Sequence, residues 1–173
     1  MSLSMYQASV PVFQQLLSAL SGVLDKADAH AAARKIEPSV LLADRLYPDM
    51  FPLTRQVQIA TDFARGCTAR LAGKEVPAYD NTEKTFAELK ARIQRSLDFI
   101  ASVKPAEIDA AAGREIVHPV AGNPVKFTGE GYLTRFALPH FYFHCATAYD
   151  ILRHNGVEVG KRDYIGKHPG VAG

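Results

Sequence analysis

Along four stretches of the chain, apolar residues recur every three or four positions, the period of a helix with one buried face. Phe13, Leu16, Leu17, Leu20, Val23, Leu24 and Ala27 form the first stripe and predict a helix from residue 12 to about residue 27. Pro11 should start this helix or kink it, because proline has no amide hydrogen to give to the preceding turn. A short helix is expected within residues 37–46, and Tyr47-Pro48-Asp49 then breaks the chain. Asp49 is placed to cap a second long helix, with Pro52 tolerated in its first turn. That helix keeps Leu53, Val57, Ala60, Ala64, Cys67 and Leu71 inward and ends near Gly73. A third helix opens on Thr85-Phe86-Ala87-Glu88, which has the form of a capping box. Phe86, Leu89, Ile93, Leu97 and Ile100 give it a core stripe, and Pro105 marks its end.

Roughly 25 residues follow without a long helical stripe, more than most connections between packed helices. Within them, Glu115-Ile116-Val117-His118 and Val125-Lys126-Phe127-Thr128 flank Ala121-Gly122-Asn123-Pro124, a hairpin signal. Ile116, Val117, Val125 and Phe127 are too apolar for a free loop, so the hairpin should pack across the helices. The fourth long helix spans residues 132–154 and stops at Asn155-Gly156. Four amphipathic helices, mostly antiparallel, bury their stripes best against one another. The expected fold is therefore all-α: one four-helix-bundle domain over residues 1–173, with a small β-hairpin between the third and fourth long helices.

Composition narrows the function classes. The chain is 47% hydrophobic and 22% charged, enough apolar material for a sizeable core. Net charge is +2 and the basic residues are dispersed, which argues against nucleic acid as a partner. No apolar run reaches the roughly 20 residues of a membrane span, and no export signal opens the chain, so a cytoplasmic protein is expected. Cys67 and Cys145 stand in no CxxC spacing and read as buried, reduced thiols.

The fourth helix carries the candidate chemistry. At 100° per residue, His140 and His144 lie about 40° apart on one face. Leu133, Phe136, Ala137, Thr147, Ala148 and Ile151 share that face on an ideal helix, which points both imidazoles inward. Two imidazoles one turn apart can hold one divalent metal ion inside a helical bundle. The segment His140-Phe141-Tyr142-Phe143-His144 lacks the glutamate of HExxH, so protease chemistry is not indicated. His154 lies about 15 Å along the axis from His144, too far to share an ion. From the second helix Gln56 is the best-placed third donor. Asp62 patterns with Arg55, Gln58 and Arg65 on the polar side. The alternative is a pair of core histidines hydrogen-bonded to Gln56, Thr147 or a buried water. No catalytic residue is assigned. Arg45, Asp49, Arg55 and Gln56 sit where they could rim a pocket, or cap helices and pair with one another. His118 on the hairpin reads as a lone exposed histidine, although it could approach the mouth of the bundle. Lys161, Arg162 and Asp163 read as a mixed-charge tail anchored by Tyr164 and Ile165.

Three segments carry a family resemblance. They are Leu46-Tyr47-Pro48-Asp49-Met50-Phe51-Pro52-Leu53-Thr54-Arg55-Gln56-Val57, Leu138-Pro139-His140-Phe141-Tyr142-Phe143-His144, and Ile151-Leu152-Arg153-His154-Asn155-Gly156-Val157. With the ending Gly160-Lys161-Arg162-Asp163-Tyr164-Ile165-Gly166, the chain resembles the DinB/YfiT-like superfamily, and within it an uncharacterised branch. The resemblance implies a four-helix bundle, often homodimeric. It also implies a divalent metal, zinc or nickel, held by one histidine of the second helix and two at HxxxH spacing on the last, and in some members thiol-dependent transferase activity. His140 and His144 match the HxxxH pair, whereas the second-helix histidine has no counterpart and Gln56 stands nearest its place.

Two functions follow as expectations. One is a small-molecule-binding protein or metal-dependent enzyme with a pocket between the helices, lined by Gln56, Arg45 and Asp49 beside the histidines. The other is a non-catalytic dimer with metal-free core histidines. A homodimer is expected in either case, because Leu138, Tyr142, Cys145 and Tyr149 make the face opposite His140 and His144 apolar apart from Arg135 and Arg153; the alternative is that the hairpin and tail cover it.

Overall fold

Pro11 falls in the first turn of helix α1, Val10–Arg34, and starts it without a kink. The helix outruns its expected end because Ala31 continues the buried stripe, and Lys35, left-handed at φ 58°, closes it. The computed structural model describes residues 3–167. They are mostly helical, with one two-stranded antiparallel sheet. Among them no helix is long and apolar enough to cross a membrane.

After the short helix α2, Pro38–Ala43, the chain turns through an exposed loop into α3, Leu53–Ala72. Asp49 does not cap α3, as the sequence suggested; it is exposed, and Pro52 holds the cap position with no side-chain bond. The loop is tied by backbone instead, with the amide of Leu53 donating to the Asp44 carbonyl at 2.9 Å. Arg45 donates to the Met50 carbonyl of the same loop at 3.3 Å. Helix α3 packs against α1, against α4 (Phe86–Ala101) and against the last long helix. It is therefore buried nearly all round, and its expected polar side is not a solvent face: Gln58 and Arg65 are 4% and 5% exposed.

Residues 74–85 cross that polar side and supply its partners. Gln58 donates to Glu83 at 2.8 Å, and the Arg65 guanidinium lies 3.7 Å from the ring centroid of Tyr79. From α4, the fully buried Arg92 reaches Thr61 at 2.7 Å, Asp62 at 2.6 Å, Glu83 at 3.0 Å and the Asp80 carbonyl at 2.9 Å. A buried guanidinium is tolerable only when its donors are met in this way. Helix α4 itself begins with the expected capping box, Thr85 and Glu88 exchanging side-chain-to-amide bonds at 3.2 and 3.1 Å.

The connection after α4 holds a short helix α5, Pro105–Asp109, and then the expected hairpin, β1 Glu115–Val120 with β2 Asn123–Thr128. Its turn residues Ala121 and Gly122 both have positive φ, at 49° and 83°, as a two-residue primed turn requires. The two-residue period of a strand places Ile116, His118, Val125 and Phe127 toward the helices. Val117 points away and is 51% exposed, contrary to the sequence expectation.

The fourth long helix is not continuous. Helix α6, Gly129–Tyr132, runs into a π-helical turn, Leu133–Ala137, and then into α7, Leu138–His154. Pro139 is the cause: it has no amide hydrogen, and its ring crowds the carbonyl four residues back. The helix widens there, and the amide of Leu138 bonds to Leu133. The extra residue shifts the buried stripe of α7 to Phe141, Cys145, Ala148 and Leu152, with His144 and Ile151 beside it. Cys145 is thereby core, at 2% exposure, and the supposed apolar outer face loses one member. Tyr149 of that face packs 5.8 Å from Tyr164 of α8, Lys161–Ile165, which lies along α1. Tyr142 is 40% exposed. Both cysteines are free thiols, and burial raises their pKa far above the ordinary thiol range.

Gly129 makes the tightest backbone contact of this region. A methyl group there would sit well inside contact distance of the Ala111 carbonyl. Gly129→Ala should therefore destabilise the protein by about 1–3 kcal/mol. The urea midpoint would fall with an unchanged slope, and an unchanged midpoint would contradict this contact.

Candidate functional site

The π-helical turn decides where the two histidines point. His140, expected in the core, is exposed, whereas His144 is 8% exposed. Nδ1 of His140 is 2.8 Å from the carbonyl of Phe136. A carbonyl only accepts, so this nitrogen carries the proton. Nδ1 of His144 is 2.6 Å from Oε1 of Gln56, whose Nε2 donates to the Phe51 carbonyl at 3.0 Å. Gln56 is thus oriented as acceptor, and His144 also holds its proton on Nδ1. In the neutral form each ring then leaves Nε2 as a lone pair. Gln56, expected as a third donor, spends its oxygen on the ring of His144. The α3 side chain facing both imidazoles is Phe63, which stacks on His140 at 4.7 Å and on His144 at 6.0 Å.

A zinc or nickel site takes three or four donor side chains or keeps one position for water. Among the described residues no three His, Cys, Asp or Glu side chains are grouped to hold a metal. The donor set is incomplete, because Phe63 cannot ligate and Gln56 is engaged.

Phe63 is also one wall of a cavity of about 180 Å³, lined further by Asp62, Arg65, Arg70, Val76, His118 and Tyr132. Gln56, Arg45 and Asp49, expected as pocket lining, are not among these residues, nor are His140 and His144. The first is buried at 1%, and the next two are exposed in their own loop. Aromatic contacts join the cavity to the histidine pair. His118 lies 5.6 Å from Tyr132 and 5.1 Å from Phe136, and Phe136 lies 4.4 Å from His140. The hairpin thus brings His118 to the mouth of the site, the role set aside for it on sequence grounds.

The lining carries several charged side chains. Arg70 donates to the Tyr132 hydroxyl at 3.3 Å. Burial pushes the Tyr132 pKa up to about 12, with the neighbouring Cys67 adding to the rise and Arg70 opposing it. Burial, then the charges of Arg70 and His140, hold His118 below the usual histidine range. Asp62 is shared between Arg65 at 2.9 Å and Arg92 at 2.6 Å. Spacing marked Arg65 only as part of a polar helix side and gave Arg70 and Tyr132 no role. Their only signal was basic and aromatic residues at helical spacing, which a solvated face also produces.

A wider groove of about 810 Å³ runs between α1 and α8. Its Lys26 is paired with Asp163 at 2.7 Å, and Gln15 donates to the Ile165 carbonyl at 2.9 Å. It gathers no buried titratable group, so the smaller cavity is the better candidate.

His144 has a consequence for stability. Burial, then the positive charges of His140 and Arg55, lower its pKa to about 4. An unfolded chain would take up this proton near pH 6.5, so between about pH 6.5 and 4 the unfolded state binds more protons. Stability should therefore fall as pH drops through this window, by on the order of 3 kcal/mol for this one group. Urea denaturation across pH 4–7 should show a shallower fall in His144→Asn than in the unmodified protein. Equal slopes would contradict the burial of this imidazole.

The comparisons with known proteins agree with the fold. Residues 5–165 match the family model described as a domain of unknown function, DUF1993. A crystal structure of a DinB family member protein from Shewanella denitrificans superposes with a TM-score of 0.89 at 43% sequence identity. The match covers 97% of this chain and 95% of that one. Among curated proteins none matches the sequence. With the family model spanning nearly the whole chain and a DinB relative at this identity, the chain belongs to the DUF1993 family of DinB-like proteins.

Proposed function

We propose that this protein binds a small molecule in the cavity between α3, β1 and α6, on a DinB-like four-helix-bundle framework formed by α1, α3, α4 and the α6–α7 helix. The observation that carries the reading is the lining itself. Asp62, Arg65, Arg70 and His118 converge on one recess whose remaining walls, Phe63, Val76 and Tyr132, are largely apolar. A few convergent polar groups on apolar walls are the usual make-up of a ligand site. At about 180 Å³ the recess lies below the roughly 300 Å³ at which drug-sized ligand sites begin, so its ligand is small. Ligand-observed NMR of a small-fragment set against the full chain tests the reading. Hits should shift the ring resonances of His118, and His118→Ala should weaken them. A set with no hit that perturbs His118 would sink it.

One observation favours a second reading, in which His140 and His144 bind zinc or nickel. Each ring is anchored through Nδ1, which is how metal-ligating imidazoles are oriented for coordination through Nε2. The two rings supply part of a donor set, and a metal held there would act as a Lewis acid or lower the pKa of a bound water. Purified without an affinity tag, the protein should then carry stoichiometric metal by elemental analysis, and His144→Ala should lose it. Metal-free protein whose melting temperature ignores both added zinc and chelator would exclude this reading.

A further inference from the structure

Buried polar atoms almost always have partners, so the exceptions in a native fold ask for an explanation. Among the described residues three buried side-chain polar atoms have none: Nε and Nη1 of Arg65, and Nδ1 of His118. All three belong to residues lining the same 180 Å³ cavity, and each atom is itself covered, so a ligand reaches it when its side chain turns toward the recess. The charge balance of the lining points the same way. Arg65 and Arg70 contribute two fixed positive charges, and Asp62 contributes one negative charge already shared with Arg92. Arg70 makes its side-chain hydrogen bond to a neutral phenol, Tyr132. The lining is therefore short of acceptors and short of negative charge.

Resting on the small-molecule reading above, we infer that the ligand is a small organic acid, with its carboxylate taken by Arg65, Arg70 and His118. A carboxylate is acceptor-only, and its two oxygens offer about four lone-pair sites to the guanidinium and imidazole donors. Its negative charge offsets the excess left by Asp62. The apolar walls, Phe63 and Val76, suit a short hydrocarbon body. The volume equals roughly six waters' share of liquid, which limits that body to a short chain or a single ring. Inorganic phosphate has the charge but would leave the apolar walls without a partner.

The test is a titration of the full, ¹⁵N-labelled chain at low salt, reading the Arg65 Nε–H and the His118 ring. The probes are propionate, benzoate, propionamide and inorganic phosphate. Saturable shifts with a carboxylate and none with propionamide are the expected result. Arg70→Gln should weaken carboxylate binding at least about tenfold, the scale of a charge-assisted hydrogen bond. If Arg70→Gln misfolds, His118→Asn on the hairpin should show a smaller loss of the same sign. Binding of propionamide as tight as that of propionate would overturn the carboxylate assignment while leaving a small-molecule site. Binding of phosphate without carboxylates would overturn the organic-acid class. Saturation by none of the four probes at tens of millimolar would overturn the inference, and the fragment set that reads His118 would then decide separately whether any small-molecule site remains.

Discussion

Pro139 cannot donate a backbone hydrogen bond, and a helix that continues past it must widen or break. In this protein it widens. The π-helical turn at Leu133–Ala137 absorbs one extra residue, which rotates everything after it by about 100° relative to an uninterrupted α-helix. One imidazole is turned outward and its neighbour is left at the edge of the core. The same rotation carries Cys145 inward, where an ideal helix would expose it. A second consequence is local: the ring of His140 donates to the carbonyl of Phe136, inside the widened turn, and so its tautomer is set by the break itself. Both imidazoles end up stacked on Phe63 because the phase of α7 was reset before them.

The other determining feature is charge buried on α3 and α4. Arg92 is fully buried and meets four different acceptors, two of them carboxylates. Removing one partner of such a group costs several times what an exposed ion pair contributes, because the remaining charge stays out of water. That asymmetry pins residues 74–85 across α3, since Asp80 and Glu83 come from this segment. The segment in turn covers Arg65 and brings Val76 to the cavity. A guanidinium stacked on Tyr79 is held flat and can reach few in-plane acceptors, which is how Arg65 comes to have donors left over.

On α7 of this chain two imidazoles lie side by side, and the α3 side chain stacked on both is a phenyl ring, Phe63. Nδ1 of each imidazole has a protein partner, Gln56 for the buried His144 and the Phe136 carbonyl for the exposed His140. The side chains whose hydrogen bonding is incomplete lie one step away, around His118 and Arg65. The proposed ligand site therefore lies where donors lack partners, next to the residues most recognisable in the sequence.

Much of the architecture was legible in local pattern. Apolar stripes located α1, α3 and α4; Thr85 and Glu88 marked a helix start through bonds between near neighbours; Ala121-Gly122-Asn123-Pro124 marked the hairpin, although its turn is only Ala121-Gly122 and the other two residues pair in β2. These features depend on residues a few positions apart, and sequence spacing encodes them directly. The site was legible only in part. His140 and His144 are close on any helix, and Gln56 was among the partners weighed for them. Which imidazole is buried depended on the helical phase past Pro139, which an ideal wheel does not carry. Arg65 and Gln58 looked like a solvent face because burial by residues 74–85 is a contact between segments. His118 and Arg70 are 48 positions apart in sequence (118 − 70) and share a cavity only because β1 folds back onto α3. Spacing along the chain determined which residues lie on one helix, strand or turn; packing of distant segments decided which of their polar atoms lost water and found no partner.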